Sequence, residues 1–136
     1  MTKMAFPRND SELEAIRAIV ASGDDKPVIM LNLNRYVSQA GYPDGQLYLS
    51  YISALEALLS RVGAAILWRT PVFGQPVGEQ VIDEVLAVWY PTHQTFLELP
   101  NSPGAAENYR LRGLCVETAV IHRCVGDREP LGQAPR

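Results

Sequence analysis

Apolar positions recur along this chain with two periods, and the alternation between them lays out a fold. Leu13, Ile16, Ile19 and Val20 repeat at helical spacing, Ser11 and Glu14 stand as a capping box at the start, and Gly23 is placed as a stop. Val28 to Arg35 reads as a strand. Its Ile29, Leu31 and Leu33 parity is wholly apolar and is expected to face the helices, whereas Val28, Met30, Asn32 and Asn34 begin apolar and turn polar. A Gly- and Pro-bearing loop follows. A long helix then opens at Asp44 or Gly45, carrying Tyr48, Tyr51, Ile52, Leu55, Leu58, Leu59 and Val62 as one stripe, and Gly63 ends it.

Gly63 to Leu99 organises the rest. Ala65 to Val72 is a strand, and Gly74, Pro76 and Gly78 mark a loop. Val81 to Tyr90, rich in β-branched and aromatic residues, is the antiparallel partner strand. Thr92 is the expected N-cap of a short helix from His93 to Glu98 that Pro100 stops. A further helix restarts at Asn101-Ser102-Pro103 and ends at Gly113, and Leu114 to Cys124 is the last strand. Behind the opening helix the order is βαββαβ, the ferredoxin-like arrangement of the α+β class: a four-stranded antiparallel sheet with two helices on one face. This divides the chain into an N-terminal helical extension (1–27), the α+β domain (28–125) and a polar, frayed tail (126–136). Both strands of the Ala65–Val72 and Val81–Tyr90 pair are apolar on both parities, so both sheet faces should be covered, yet there are helices for only one. Two sheets packed face to face in a twofold homodimer would cover the second.

Composition narrows the function classes. A chain of 136 residues with 47% hydrophobic and 20% charged residues fits one globular domain. A net charge of −3 with no basic block argues against nucleic acid as a partner. No apolar run is long enough to span a membrane, and the N-terminus lacks the apolar core of a signal peptide, so a cytoplasmic protein is expected. Cys115 and Cys124 fall on one predicted strand, about 30 Å apart at strand rise, which excludes a disulfide within it and suits a reducing compartment.

Three features carry a family resemblance. They are the Gly63-Ala64-Ala65 turn after a Tyr-bearing helix, a strand ending in Trp89-Tyr90-Pro91-Thr92, and Tyr109 followed by Arg110 and Arg112. Over Val28 to Arg123 the chain resembles the dimeric α/β-barrel superfamily, and within it a small bacterial family of unknown function. The resemblance implies a ferredoxin-like homodimer. Its wider relatives include cofactor-free oxygenases, lactone isomerases, haem-degrading enzymes, stress-related proteins and members with no known activity.

The candidate chemistry is sparse. Asn32 and Asn34, amides inside a strand, would orient a ligand in the space between sheet and helices or in the barrel, or else bond loop backbone at a strand end. Arg69 could bind a carboxylate or enolate, pair with Glu79, Asp83 or Glu84 across the strands, or snorkel at the sheet edge. His93, in the first turn of a helix that disfavours positive charge, could serve as a general base or simply be solvated. Among the aromatics Trp68 and Tyr109 are the candidates for a pocket lining, the rest for core. His122 is taken as structural, and no His, Cys, Asp or Glu spacing suggests a metal or a bound cofactor. The expectation is a homodimeric, cofactor-independent oxygenase- or isomerase-like enzyme acting on a small organic molecule. Its catalytic residues would be His93 and Arg69, with His93 or a Tyr as the base, and substrate contacts would come from Asn32, Asn34, Trp68 and Tyr109. The alternative is a non-enzymatic dimeric module that binds a ligand or a partner.

Overall fold

A computed structural model describes residues 8–127, and the expectations about the leader and most of the tail lie outside them. Helix α1 spans Asp10–Ala21 and strand β1 Val28–Tyr36; the long helix α2 spans Gln46–Arg61, with Gly45 as its N-cap. Strands β2 (Ala65–Pro71) and β3 (Glu84–Tyr90) follow, then α3 (His93–Glu98), α4 (Ala105–Cys115) and β4 (Val116–Val125). Thr92 caps α3 as its position suggests, accepting the Thr95 amide at 3.0 Å. None of the helices among the described residues is long and apolar enough to cross a membrane.

Several boundaries differ from the sequence reading. Asn9, not Ser11, stands at the N-cap of α1, with no side-chain cap bond, so the capping box does not form. Strand β3 begins at Glu84 rather than Val81, because Asp83 turns back onto β1: its amide donates to the Asn34 carbonyl at 2.8 Å and its carboxylate accepts the Tyr36 amide at 2.8 Å. Helix α4 begins after Gly104 rather than at Asn101, since Leu99–Asn101 forms a separate 3₁₀ turn. It also continues through Gly113 to Cys115, whose buried side chain anchors its last turn. Cys115 and Cys124 therefore sit on different elements, both as free thiols, and burial pushes the Cys115 thiol up to about 11.

All strand pairings are antiparallel, in the order β2-β3-β1-β4. That order, with α2 and α4 as the crossovers, is the ferredoxin-like topology. The register shows which parity faces the helices, and the expectation for β1 is reversed. Val28, Met30, Asn34 and Tyr36 are buried beneath the helices together with Glu84, Leu86, Val88 and Tyr90 of β3. Ile29, Leu31 and Leu33 lie on the opposite face, half-buried, beside Val85 and Trp89. The more apolar parity of β1 is thus the one its own helices leave alone. The interior parity can carry amides and phenols because they bond to one another there. Tyr48, Tyr51, Ile52, Leu58 and Leu59 of α2, Leu111 and Cys115 of α4 and Ile16 of α1 complete the core on the helical side.

The turn into α2 depends on close backbone approach. Gly41 has a positive φ of 68°, and a Cβ at Gly45 would fall 2.5 Å from the Gly41 Cα. Glycine at both positions lets the chain fold back beneath Tyr42, whose ring lies 5.0 Å from that of Tyr36 and 4.7 Å from that of Tyr48.

Candidate functional site

Between the sheet and the helices lies a cavity of about 640 Å³, a size suited to a small organic molecule. Met30, Leu86 and Val88 form its floor, and Leu55, Phe96 and Leu99 close the helical side. Its polar lining comes from facing elements: Asn32 and Asn34 on β1, and Asn108, Tyr109 and Arg112 on α4. The opening helix supplies Glu12, Leu13 and Ile16, so α1 is a wall of the cavity.

Two of these lining residues each carry a side-chain atom that lacks a partner. Asn34 Oδ1 and Asn108 Nδ2 are buried and make no hydrogen bond within the protein, although both residues are almost fully buried, at 1% and 2% exposure. Buried polar groups are as a rule paired, and an orphan costs roughly 1–3 kcal/mol. One atom is an acceptor and the other a donor, so they call for complementary groups.

The orientation of Asn34 is set from behind by a network centred on Glu84. This carboxylate is 1% exposed and accepts the Tyr36 hydroxyl at 2.5 Å. The Tyr48 hydroxyl lies 2.9 and 2.8 Å from its two oxygens, and Arg69 Nη1 lies 3.2 Å away. With its O–H donating to Glu84, the Tyr36 oxygen accepts from Asn34 Nδ2 at 3.3 Å. The amide nitrogen is therefore held on the network side, and Oδ1 is the end left over. Burial, reinforced by the bond to Glu84, pushes the Tyr36 and Tyr48 phenols far above their usual range, so both remain neutral donors.

Arg69 thus pairs with Glu84, one of the three partners its position allowed, and it does not line the cavity. Its Nη1 also donates to the Tyr48 oxygen at 2.9 Å.

His93 is buried rather than solvated. Its Nδ1 lies 3.0 Å from both Asp25 Oδ1 and the Lys26 carbonyl, two acceptors, so Nδ1 carries a proton. Nε2 lies 3.4 Å from Arg123 Nη1, and the Nε of the same guanidinium is ion-paired with Glu12. Asp25 also caps α3, accepting the amides of His93 at 2.8 Å and Gln94 at 3.0 Å. Burial works to raise the Asp25 carboxyl, but these amide bonds and the His93 ring outweigh it and hold the group below its usual value. The Asp25–His93–Arg123–Glu12 chain ties α1, α3 and β4 together beside the cavity without His93 lining it.

The structure therefore brings Asn32, Asn34 and Tyr109 to one cavity, with Tyr109 partly exposed. Asn32 Nδ2 is taken up by the Met30 carbonyl at 3.0 Å. His93 and Arg69 lie outside the lining, in separate bonding networks. Trp68 is 52% exposed and pairs with Ala87, which places it on the opposite sheet face from the cavity. Asn108, Arg112 and Glu84 are the residues the sequence reading did not single out as a site. Glu84 surfaced there only as a possible partner of Arg69, and Asn108 and Arg112 share a helix face only once α4 is placed. Among the described residues no group of three or more His, Cys, Asp or Glu is arranged to hold a metal ion.

No family model matches the chain, and no curated protein matches it. Solved structures do. The chain is similar to a protein of unknown function from Rhodopseudomonas palustris, at 24% identity and a TM-score of 0.72, over 95% of this chain and 100% of that one. The methylated form of that protein superposes equally well, over 98% of this chain and all of the other. A dabb family protein with a ferredoxin-like fold from Mesorhizobium loti matches at 11% identity and a TM-score of 0.52, over 78% of this chain and 98% of that one. At these identities the likeness defines the fold class: this is an α+β protein of ferredoxin-like fold.

Proposed function

We propose that the protein binds a small, largely apolar organic molecule in the cavity between its sheet and helices, and that it works as a homodimer paired through the open sheet faces. The unpartnered pair formed by Asn34 Oδ1 and Asn108 Nδ2, on an otherwise mostly apolar lining, carries this reading. A folded chain that keeps a donor and an acceptor buried and unmatched on one cavity is arranged for a molecule that matches them. The homodimer is supported by Ile29, Leu31 and Leu33 on a sheet face outside the protein's own core.

Binding is preferred to oxygenase- or isomerase-like catalysis because neither His93 nor Arg69 lines the cavity, and burial raises the phenols of Tyr51, Tyr90 and Tyr109, which do line it, away from service as a base. In this reading both are positioning residues. Arg69 acts through Glu84 and Tyr36 on Asn34, and His93 acts through Arg123 on the wall formed by α1. Titration of the labelled protein with a panel of apolar-bodied fragments, followed by amide NMR, tests the reading. Shifts clustered on Met30, Asn34, Leu55, Val88 and Asn108 are expected. Shifts confined to Ile29, Leu31 and Trp68, or none up to millimolar fragment, would rule it out.

A further inference from the structure

Taking the cavity as the ligand site, we infer that its occupant is an organic acid with an apolar body and one hydroxyl or N–H donor, the acid held by Asn108 and Arg112 and the donor by Asn34 Oδ1. The charge of the lining points to the acid. The whole chain carries −3, yet the cavity is lined by Arg8, Arg112 and Arg123 against one carboxylate, Glu12, which is already paired with Arg123. A local sign opposite to the net charge of the protein selects an anionic ligand and disfavours an ammonium.

The donor geometry agrees. Asn108 and Arg112 are four residues apart on α4, so their side chains are neighbours on one face of the helix, and both line the cavity. Asn108 Nδ2 offers hydrogens with no acceptor in the protein, and a guanidinium offers only donors. A carboxylate is the acceptor that suits an arginine beside an amide. The phenol of Tyr51, pushed up to about 12 by burial although Arg112 works to lower it, stays neutral at this end and does not compete as an anion.

The facing wall asks for the opposite. Asn34 cannot turn its amide around without losing the bond to Tyr36, whose own O–H donates to Glu84, so it presents an acceptor. Between the two walls stand Met30, Leu86, Val88 and Phe96, which suit an apolar body and nothing charged. A plain hydrocarbon acid would leave Asn34 Oδ1 bare, and a neutral molecule whose only polar group is an N–H would leave Asn108 Nδ2 bare.

Three probes of similar size separate these terms by isothermal titration calorimetry on the full chain. Indole-3-acetate has both the acid and a ring N–H, 1-naphthaleneacetate the acid alone, and 3-methylindole the N–H alone. Indole-3-acetate is expected to bind tightest, with each of the others weaker by about tenfold or more. In Asn34→Leu the advantage over 1-naphthaleneacetate should vanish, and in Arg112→Met the advantage over 3-methylindole. The wild-type comparison stands even if a variant fails to fold. Three affinities within about threefold of one another, or 3-methylindole the tightest, would overturn the assignment of the acid while leaving a ligand cavity in place. No binding of any probe, together with no NMR response of the lining to the wider fragment panel, would overturn the cavity reading itself.

Discussion

Removing the Glu84 carboxylate probes the device that orients the cavity. In Glu84→Ala the hydroxyls of Tyr36 and Tyr48 lose their acceptor inside the protein, at sites where the carboxylate is only 1% exposed. Each stranded hydroxyl costs about 1–3 kcal/mol. Arg69, with a side chain 40% exposed, keeps access to water, so its share of the loss is small. The total is about 2–6 kcal/mol, which brackets the ~3–5 kcal/mol typical of breaking one side of a buried charged network. That is a large part of the ~5–15 kcal/mol available to a domain of this size. Urea unfolding followed by the fluorescence of Trp68 and Trp89 would report it as a lower midpoint at unchanged slope. Glu84→Gln keeps the shape and an acceptor oxygen for Tyr36, and should lose only about 1–2 kcal/mol. A loss below about 1 kcal/mol for Glu84→Ala would refute the view that this carboxylate anchors Tyr36 and Tyr48.

Asp25→Asn removes the carboxylate that accepts two amides at the start of α3 and should cost about 1–2 kcal/mol at neutral pH. Because the folded Asp25 carboxyl is held below its usual value, its stabilisation is complete above the unfolded value of about 3.9 and fades as pH falls through the lower folded value. The variant should therefore lose less stability than wild type on acidification below about pH 4, and identical acid limbs in the two proteins would contradict this. Leu31→Glu, at the middle of the open sheet face, should convert a dimer into a monomer in light scattering at micromolar concentration. A wild-type monomer, or an unaffected dimer in the variant, would remove the proposed interface. Gly45→Ala drives a Cβ into the backbone at Gly41 and should lower the unfolding midpoint, whereas Gly74→Ala, which meets nothing within 4 Å, should not.

The order of elements was legible in the sequence because each carries a strong local pattern. The stripe on α2 and the Thr92 cap of α3 are both present where those patterns put them. The face of β1 differs from the expectation for a physical reason. Apolar character suggests the helical side, but Ile29, Leu31 and Leu33 occupy the open face, and the helical side bears Asn34 and Tyr36 because partners await them there. Asn32 and Asn34 stood out as amides inside a strand and do line the cavity. Asn108 carries no sequence signal, Glu84 enters only as a possible partner of Arg69 and Arg112 only through the family resemblance, since their place at the site comes from contacts across the fold. Tyr36 and Glu84 are 48 positions apart, and nothing local to either announces the bond. The end of α4 shows the same limit: Gly113 reads as a stop, yet burial of Cys115 carries the helix past it.

A crystal structure of the protein with a bound probe acid would test the central claim most directly. The account predicts a ligand acceptor within about 3.2 Å of Asn108 Nδ2 and a ligand donor at the same distance from Asn34 Oδ1. A ligand seated on the open sheet face, or Asn34 and Asn108 satisfied by each other with the ligand elsewhere, would contradict it.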